Sequence, residues 1–160
     1  MVNKKQMLSL ISETLQEIGL HSEDAVSLVY NTGLVESKYE YLYQKGGSHV
    51  ARGFFQCEPH NAVDICKNYL AYRDELMREV ASACMIDWRY FTSPNEDAWR
   101  IILTYNIKAQ IAMCRLHWRR VPKKLPKTIK GQAEQWKQYY NTARGKGTVD
   151  HFIKLVEAYG

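Results

Sequence analysis

Apolar residues recur three and four apart along most of this chain, and that spacing predicts helices. Met7, Leu8, Leu10, Ile11, Leu15 and Ile18 share one face of a first helix that Gly19 ends. Ser22 caps a second, with Glu23 and Asp24 in the first turn, where the helix dipole favours acids. Its apolar positions are Ala25, Val26, Leu28, Val29 and Leu34, and it runs out near 36–38. Pro59 suits the first position of a third helix carrying Ala62, Val63, Ile65, Cys66 and Leu70. A fourth covers about 74–85, after which Ser93, Pro94 and Asn95 form a helix start signal. The stretch at about 98–118 is apolar nearly all round, through Trp99, Ile101, Ile102, Leu103, Ile107, Ile111, Ala112, Met113 and Leu116. That is the pattern of a helix buried on every side. Pro122 and Pro126 break it, and two helices follow, at about 132–143 and from a Thr148 cap to Tyr159.

The helical period is lost from 39 to 58, where aromatics, paired glycines and polar residues read as a long structured loop or a small hairpin. Loops of this length inside compact domains usually carry function. The expected fold is therefore mostly α: one domain over 1–160, with seven or so helices around a central buried helix at about 98–118. Composition agrees, since 46% hydrophobic and 24% charged residues with only 4 prolines exclude a disordered or low-complexity chain. No run approaches the ~20 apolar residues a membrane span needs. Ser9, Ser12 and Glu13 interrupt the apolar pattern after Lys4 and Lys5 too early for a cleaved secretory signal.

The formal net charge is +5, and it is concentrated. Segment 115–130 holds Arg115, Arg119, Arg120, Lys123, Lys124, Lys127 and Lys130 with no acid, and without it the rest of the chain is net negative. An anionic polymer, whether nucleic acid, anionic lipid or bacterial wall, suits such a segment. Cys57, Cys66, Cys84 and Cys114 form no CxxC pair and read as reduced, buried thiols. His21, His49, His60, His117 and His151 lack metal-ligand spacing, so neither a metal nor another cofactor is expected. Phosphate-loop and GxSxG signatures are absent.

One carboxyl stands out. Glu36 lies at the end of a largely apolar helix, just before Tyr39, Tyr41 and Tyr43. A carboxyl pressed against apolar surface is desolvated, so its pKa rises and it can hold a proton near neutral pH and deliver it. Glu36-Ser37 is followed, beyond Ser48 and Ala51, by Gly53-Phe54-Phe55-Gln56. Asn106-Ile107 and Tyr140-Asn141-Thr142 come later, in that order.

These blocks resemble those of the lysozyme-like superfamily that cleaves peptidoglycan, in particular goose-type lysozymes and soluble lytic transglycosylases. The general look of the chain is most similar to small phage-encoded members. The resemblance implies a muramidase acting on the β-1,4 bond between N-acetylmuramic acid and N-acetylglucosamine, with Glu36 as general acid and base. It implies substrate contacts at Ser48, Phe55, Gln56, Asn106, Tyr140 and Asn141, and peptidoglycan as partner of a monomer. It also implies synthesis in a host cytoplasm for action on the wall, or carriage in a virion.

The reaction type turns on a second carboxylate. Hydrolases hold an acid and a base roughly 5 to 9.5 Å apart, whereas transglycosylases let the substrate's own C6 hydroxyl attack and form 1,6-anhydromuramyl ends. Glu58 stands two residues after Gln56, where goose-type lysozymes carry an acid that positions water, which favours hydrolysis. It also precedes Pro59 and has the place of a helix cap. Glu40 is a weaker candidate, and Asp64 and Asp87 read as surface or capping groups. The rival reading from another class is a virion or nucleic-acid-binding protein that keeps the fold without catalysis and uses 115–130 to grip a polyanion.

Overall fold

The computed structural model describes residues 1–43, 50–141 and 145–160. Nine α-helices form among the described residues, and no strand. In order they are α1 (Lys4–Glu17), α2 (Glu23–Ser37), α3 (Pro59–Asn68), α4 (Asp74–Cys84), α5 (Arg89–Thr92), α6 (Glu96–Tyr105), α7 (Ile107–Arg119), α8 (Ile129–Gln135) and α9 (Val149–Tyr159). A 3-10 turn at Leu70–Tyr72 links α3 to α4, and α8 continues into a π-helical turn at Trp136–Asn141. The start signals act as their chemistry dictates. Asn3, Ser22, Asn95, Asn106, Thr128 and Thr148 each accept a backbone N–H from three residues on.

The expected central helix at about 98–118 is two helices. Asn106 leaves helical geometry at φ −106°, ψ 101°, accepts the N–H of Ala109 and donates its side-chain amide to the Cys84 carbonyl at 2.9 Å. An asparagine bonding in both directions supplies an end for one helix and a start for the next. The apolar-all-round reading holds for α7, which is buried from Ala109 to Leu116 and packs on α1, α2, α3, α4 and α6. It fails for α6, which buries Trp99 and Leu103 but leaves Ile101 57% and Tyr105 71% exposed. The basic segment also divides. Arg115 is buried and donates Nε to the Leu20 carbonyl, so it belongs to the core rather than to a surface strip.

Of the excursion at 39–58, the described residues 39–43 and 50–58 pack as turns against the helices. Lys38 and Tyr39 both take left-handed φ values, 53° and 57°, which reverses the chain at the end of α2. Tyr39 then lies back along that helix, stacks on Tyr30 at 5.2 Å and donates its hydroxyl to the Tyr30 carbonyl. Gly33 lets the ring pass, because a Cβ there would stand 2.4 Å from the Tyr39 hydroxyl. Isolated antiparallel bridges pair Arg52 with Tyr43 and with Cys57. Ser48 and His49 fall outside the described residues.

Candidate active site

The end of α2 brings Glu36 against the π-helical turn. The indole N–H of Trp136 donates to Oε2 of Glu36 at 3.0 Å. Burial pushes the Glu36 pKa up to about 7 and the Trp136 bond opposes it, so near neutral pH the group is close to half protonated. The residue as a whole is nonetheless only half-buried. A carboxyl that holds a proton at neutral pH and keeps some access to solvent can act first as an acid and then as a base.

Tyr140, four residues after Trp136, closes the other side. Its hydroxyl donates to the Phe55 carbonyl at 2.6 Å, its ring stacks on Trp118 at 5.6 Å, and His117 lies 4.5 Å from it. His117 donates Nε2–H to the Tyr139 carbonyl, and burial lowers its pKa, so it is a neutral spacer here. Tyr140 and the Cys114 thiol both feel the Glu36 charge, and both have pKa values raised by burial. These two groups facing Glu36 are therefore uncharged.

Gly53-Phe54-Phe55-Gln56 forms the floor. Gly53 takes φ +77°, and Phe54 N–H donates to Gln110 Oε1 at 3.0 Å. Phe54 and Phe55 meet Tyr39 edge-on, and Phe55 is 1% exposed. Its side chain is thus a core anchor; the carbonyl that holds Tyr140 is its part in the site. Gln56 turns its side-chain amide back to the Gly53 carbonyl at 2.9 Å and closes the turn. Asn141 accepts from Lys137, which also donates to the Gly145 carbonyl, at 2.9 Å each. Asn106 serves as the cap between α6 and α7 and is taken up by Ala109 and Cys84.

No family model, curated protein or solved structure matches this chain.

Glu58 lies at the start of α3. It occupies the N-cap position of α3 without a side-chain cap bond, and its carboxylate pairs with His60 on an exposed surface. No carboxylate contributes to the pKa of Glu36. Residues 44–49 and 142–144 contain no acid, so every acidic side chain of the sequence lies among the described residues. Two clefts of about 690 and 630 Å³, one between α1, α4 and α7 and one along α1 and α2, are lined without Glu36. Among the described residues no group of three His, Cys, Asp or Glu side chains is placed to hold a metal ion, and none of the helices is long and apolar enough to cross a membrane.

Trp136 is the site residue that sequence reasoning passed over. Its signal was its place four residues before Tyr140, which puts both aromatics on one side of a helical turn.

Proposed function

We propose that this protein cleaves bacterial peptidoglycan at the β-1,4 bond between N-acetylmuramic acid and N-acetylglucosamine, as phage-type members of the lysozyme-like superfamily do. Glu36 protonates the leaving glycosidic oxygen and then recovers a proton as base. The observation that carries the reading is a desolvated carboxyl, held by the Trp136 N–H and with a pKa of about 7, at the position where the Glu-Ser block places the acid.

Glu58, the second carboxylate that the hydrolytic form would use, is paired with His60 on an exposed surface, which favours the transglycosylase form of this reaction. In that form the C6 hydroxyl of the muramyl residue attacks its own anomeric carbon while the ionised Glu36 takes the hydroxyl proton. The glycosidic C–O bond breaks, the 1,6-anhydro bond forms, and no water is consumed. Mass spectrometry of peptidoglycan digested by the purified protein should show 1,6-anhydromuramyl ends. Absence of any released muropeptide would sink the reading, and reducing ends alone would restore hydrolysis. Glu58→Gln is expected to leave turnover within about twofold and the products unchanged, since its carboxylate is engaged with His60. A loss of more than tenfold, read by the same digestion, would put Glu58 at the attacking water.

Wall attraction is left to fewer cations than the sequence count implies. Arg120 pairs with Asp64 at 2.7 Å and Lys127 with Asp24 at 2.8 Å, while Arg115 is buried. Arg119, Lys123, Lys124 and Lys130 are exposed and have no acidic partner among the described residues. Neutralising Arg119, Lys123 and Lys124 together should weaken sedimentation with peptidoglycan at low ionic strength. Near 1 M salt, where the screening length is about 3 Å, it should have little effect. Salt-sensitive retention of DNA without wall cleavage would favour the rival polyanion-binding reading instead.

A further inference from the structure

The contact between Trp136 and Glu36 carries more than burial. An indole N–H only donates, so the oxygen it reaches must accept. In a protonated carboxyl the carbonyl oxygen is the better acceptor, and Oε2 is the oxygen that Trp136 holds. We propose that Trp136 is a positioning residue for the acid: its N–H pins Oε2 as the accepting oxygen, so that Oε1 alone gives up and recovers the proton. This rests on the reading of Glu36 as the acid of glycan cleavage.

The geometry is arranged to keep that bond through both halves of the reaction. Trp136 is 2% exposed and its ring packs on Phe152 at 5.5 Å. Gly147 leaves the ring its space, because a Cβ there would lie 2.3 Å from the indole edge. The π-helical turn that carries Trp136 is tied down by Tyr140, whose hydroxyl holds the Phe55 carbonyl at 2.6 Å. Turns of this kind cost regular hydrogen bonding and recur at functional sites. Oε2 accepts from the same N–H whether Glu36 is neutral or ionised, so switching from acid to base needs no rotation of either side chain. Oε1 has no hydrogen-bond partner among the described residues and is available to substrate.

The groups facing Glu36 do not compete for this role. From α7 comes the Cys114 thiol and from the π-helical turn the Tyr140 phenol, both held neutral by burial. The nearby Cys57 thiol is likewise pushed up, to about 12. Lys137 is taken by Asn141 and Gly145, and Lys38 lies over the Tyr159 ring. Among the described residues, protonation of the site is thus that of Glu36, tuned by one neutral donor.

The decisive experiment replaces Trp136 by benzothienylalanine, which keeps the bicyclic shape and exchanges the N–H for sulfur. The Glu36 carboxyl is titrated by carbon NMR, with Glu36→Gln identifying its signal, and kcat and KM on purified peptidoglycan are measured across pH. Because the lost bond favoured the ionised form, the midpoint should rise by about one pH unit. At pH 7 kcat should fall about tenfold or more with KM within twofold. Gly147→Ala, which pushes on the ring while sparing its N–H, should move both quantities in the same direction and serves where the analogue does not fold. An unchanged midpoint, or a raised midpoint with unchanged kcat at matched protonation, overturns the proposal. Wild-type protein that cleaves no glycan defeats the functional reading instead, and the midpoint, which needs no substrate, still reports whether Trp136 holds Glu36.

Discussion

Glu36→Gln is expected to abolish glycan cleavage while leaving the helical signature in circular dichroism unchanged. The amide matches the carboxyl in size, and its carbonyl oxygen can still accept the Trp136 N–H that now reaches Oε2. What it cannot do is donate and recover a proton. Positioned acid–base catalysis contributes roughly 10²- to 10⁴-fold, so turnover should fall at least that far. Near wild-type release of muropeptides by the variant would remove Glu36 from the mechanism.

The same substitution should make the protein more stable in alkali. Glu36 has a folded pKa of about 7 against an ordinary value of 4.5, so between these values the folded state binds the extra proton. Stability therefore falls as pH rises from about 4.5 to 7, and the full cost is present above pH 7. The shift corresponds to about 3 kcal/mol as an upper figure. Glutamine carries no such cost. Thermal melts should show the variant above wild type by roughly 3 to 10 °C at pH 8 and level with it near pH 4. Identical melting curves at both pH values would mean that the carboxyl is not desolvated.

The helices were legible because capping residues and apolar spacing are local. Ser22, Asn95 and Thr148 start helices where their side chains reach the third N–H on, and no distant residue changes that. The break at Asn106 was harder to read, since the apolar run continues through it. What decides it is a bond to Cys84, which belongs to another helix. Glu36 was legible by its type and its apolar neighbours, whereas its partner Trp136 lies a hundred residues away and only the fold brings them together. Phe55, Gln56 and Asn106 have contacts within the fold that their motif positions do not announce. A motif marks positions without saying what each side chain bonds to, and here the Gln56 amide closes a turn, Asn106 caps a helix and the Phe55 ring enters the core.

Gly53 shows how severe that structural requirement is, and Gly53→Ala is expected to destabilise the protein more than any conservative change elsewhere in the 50–57 turn. Two costs coincide there. The backbone is left-handed at φ +77°, where an alanine pays about 1 to 2 kcal/mol. A Cβ would also stand 2.6 Å from the Leu103 carbonyl oxygen and 2.6 Å from the Gln110 side chain. The first is helix backbone and cannot yield, and the second is the acceptor for Phe54 N–H. Forcing atoms into such a contact costs typically a further 1 to 3 kcal/mol. Gly19 separates the two effects, because it has a similar φ of +71° yet a Cβ there meets only the Glu79 carboxylate at 3.7 Å. Urea unfolding should place Gly19→Ala about 1 kcal/mol below wild type and Gly53→Ala about 3 kcal/mol below. Glycan cleavage should fall in the second variant alone, because moving the turn carries the Phe55 carbonyl away from Tyr140 and loosens the π-helical turn that holds Trp136 on Glu36. Equal losses of stability in the two variants would show that backbone conformation alone accounts for the glycine and that the turn has room beside α6 and α7.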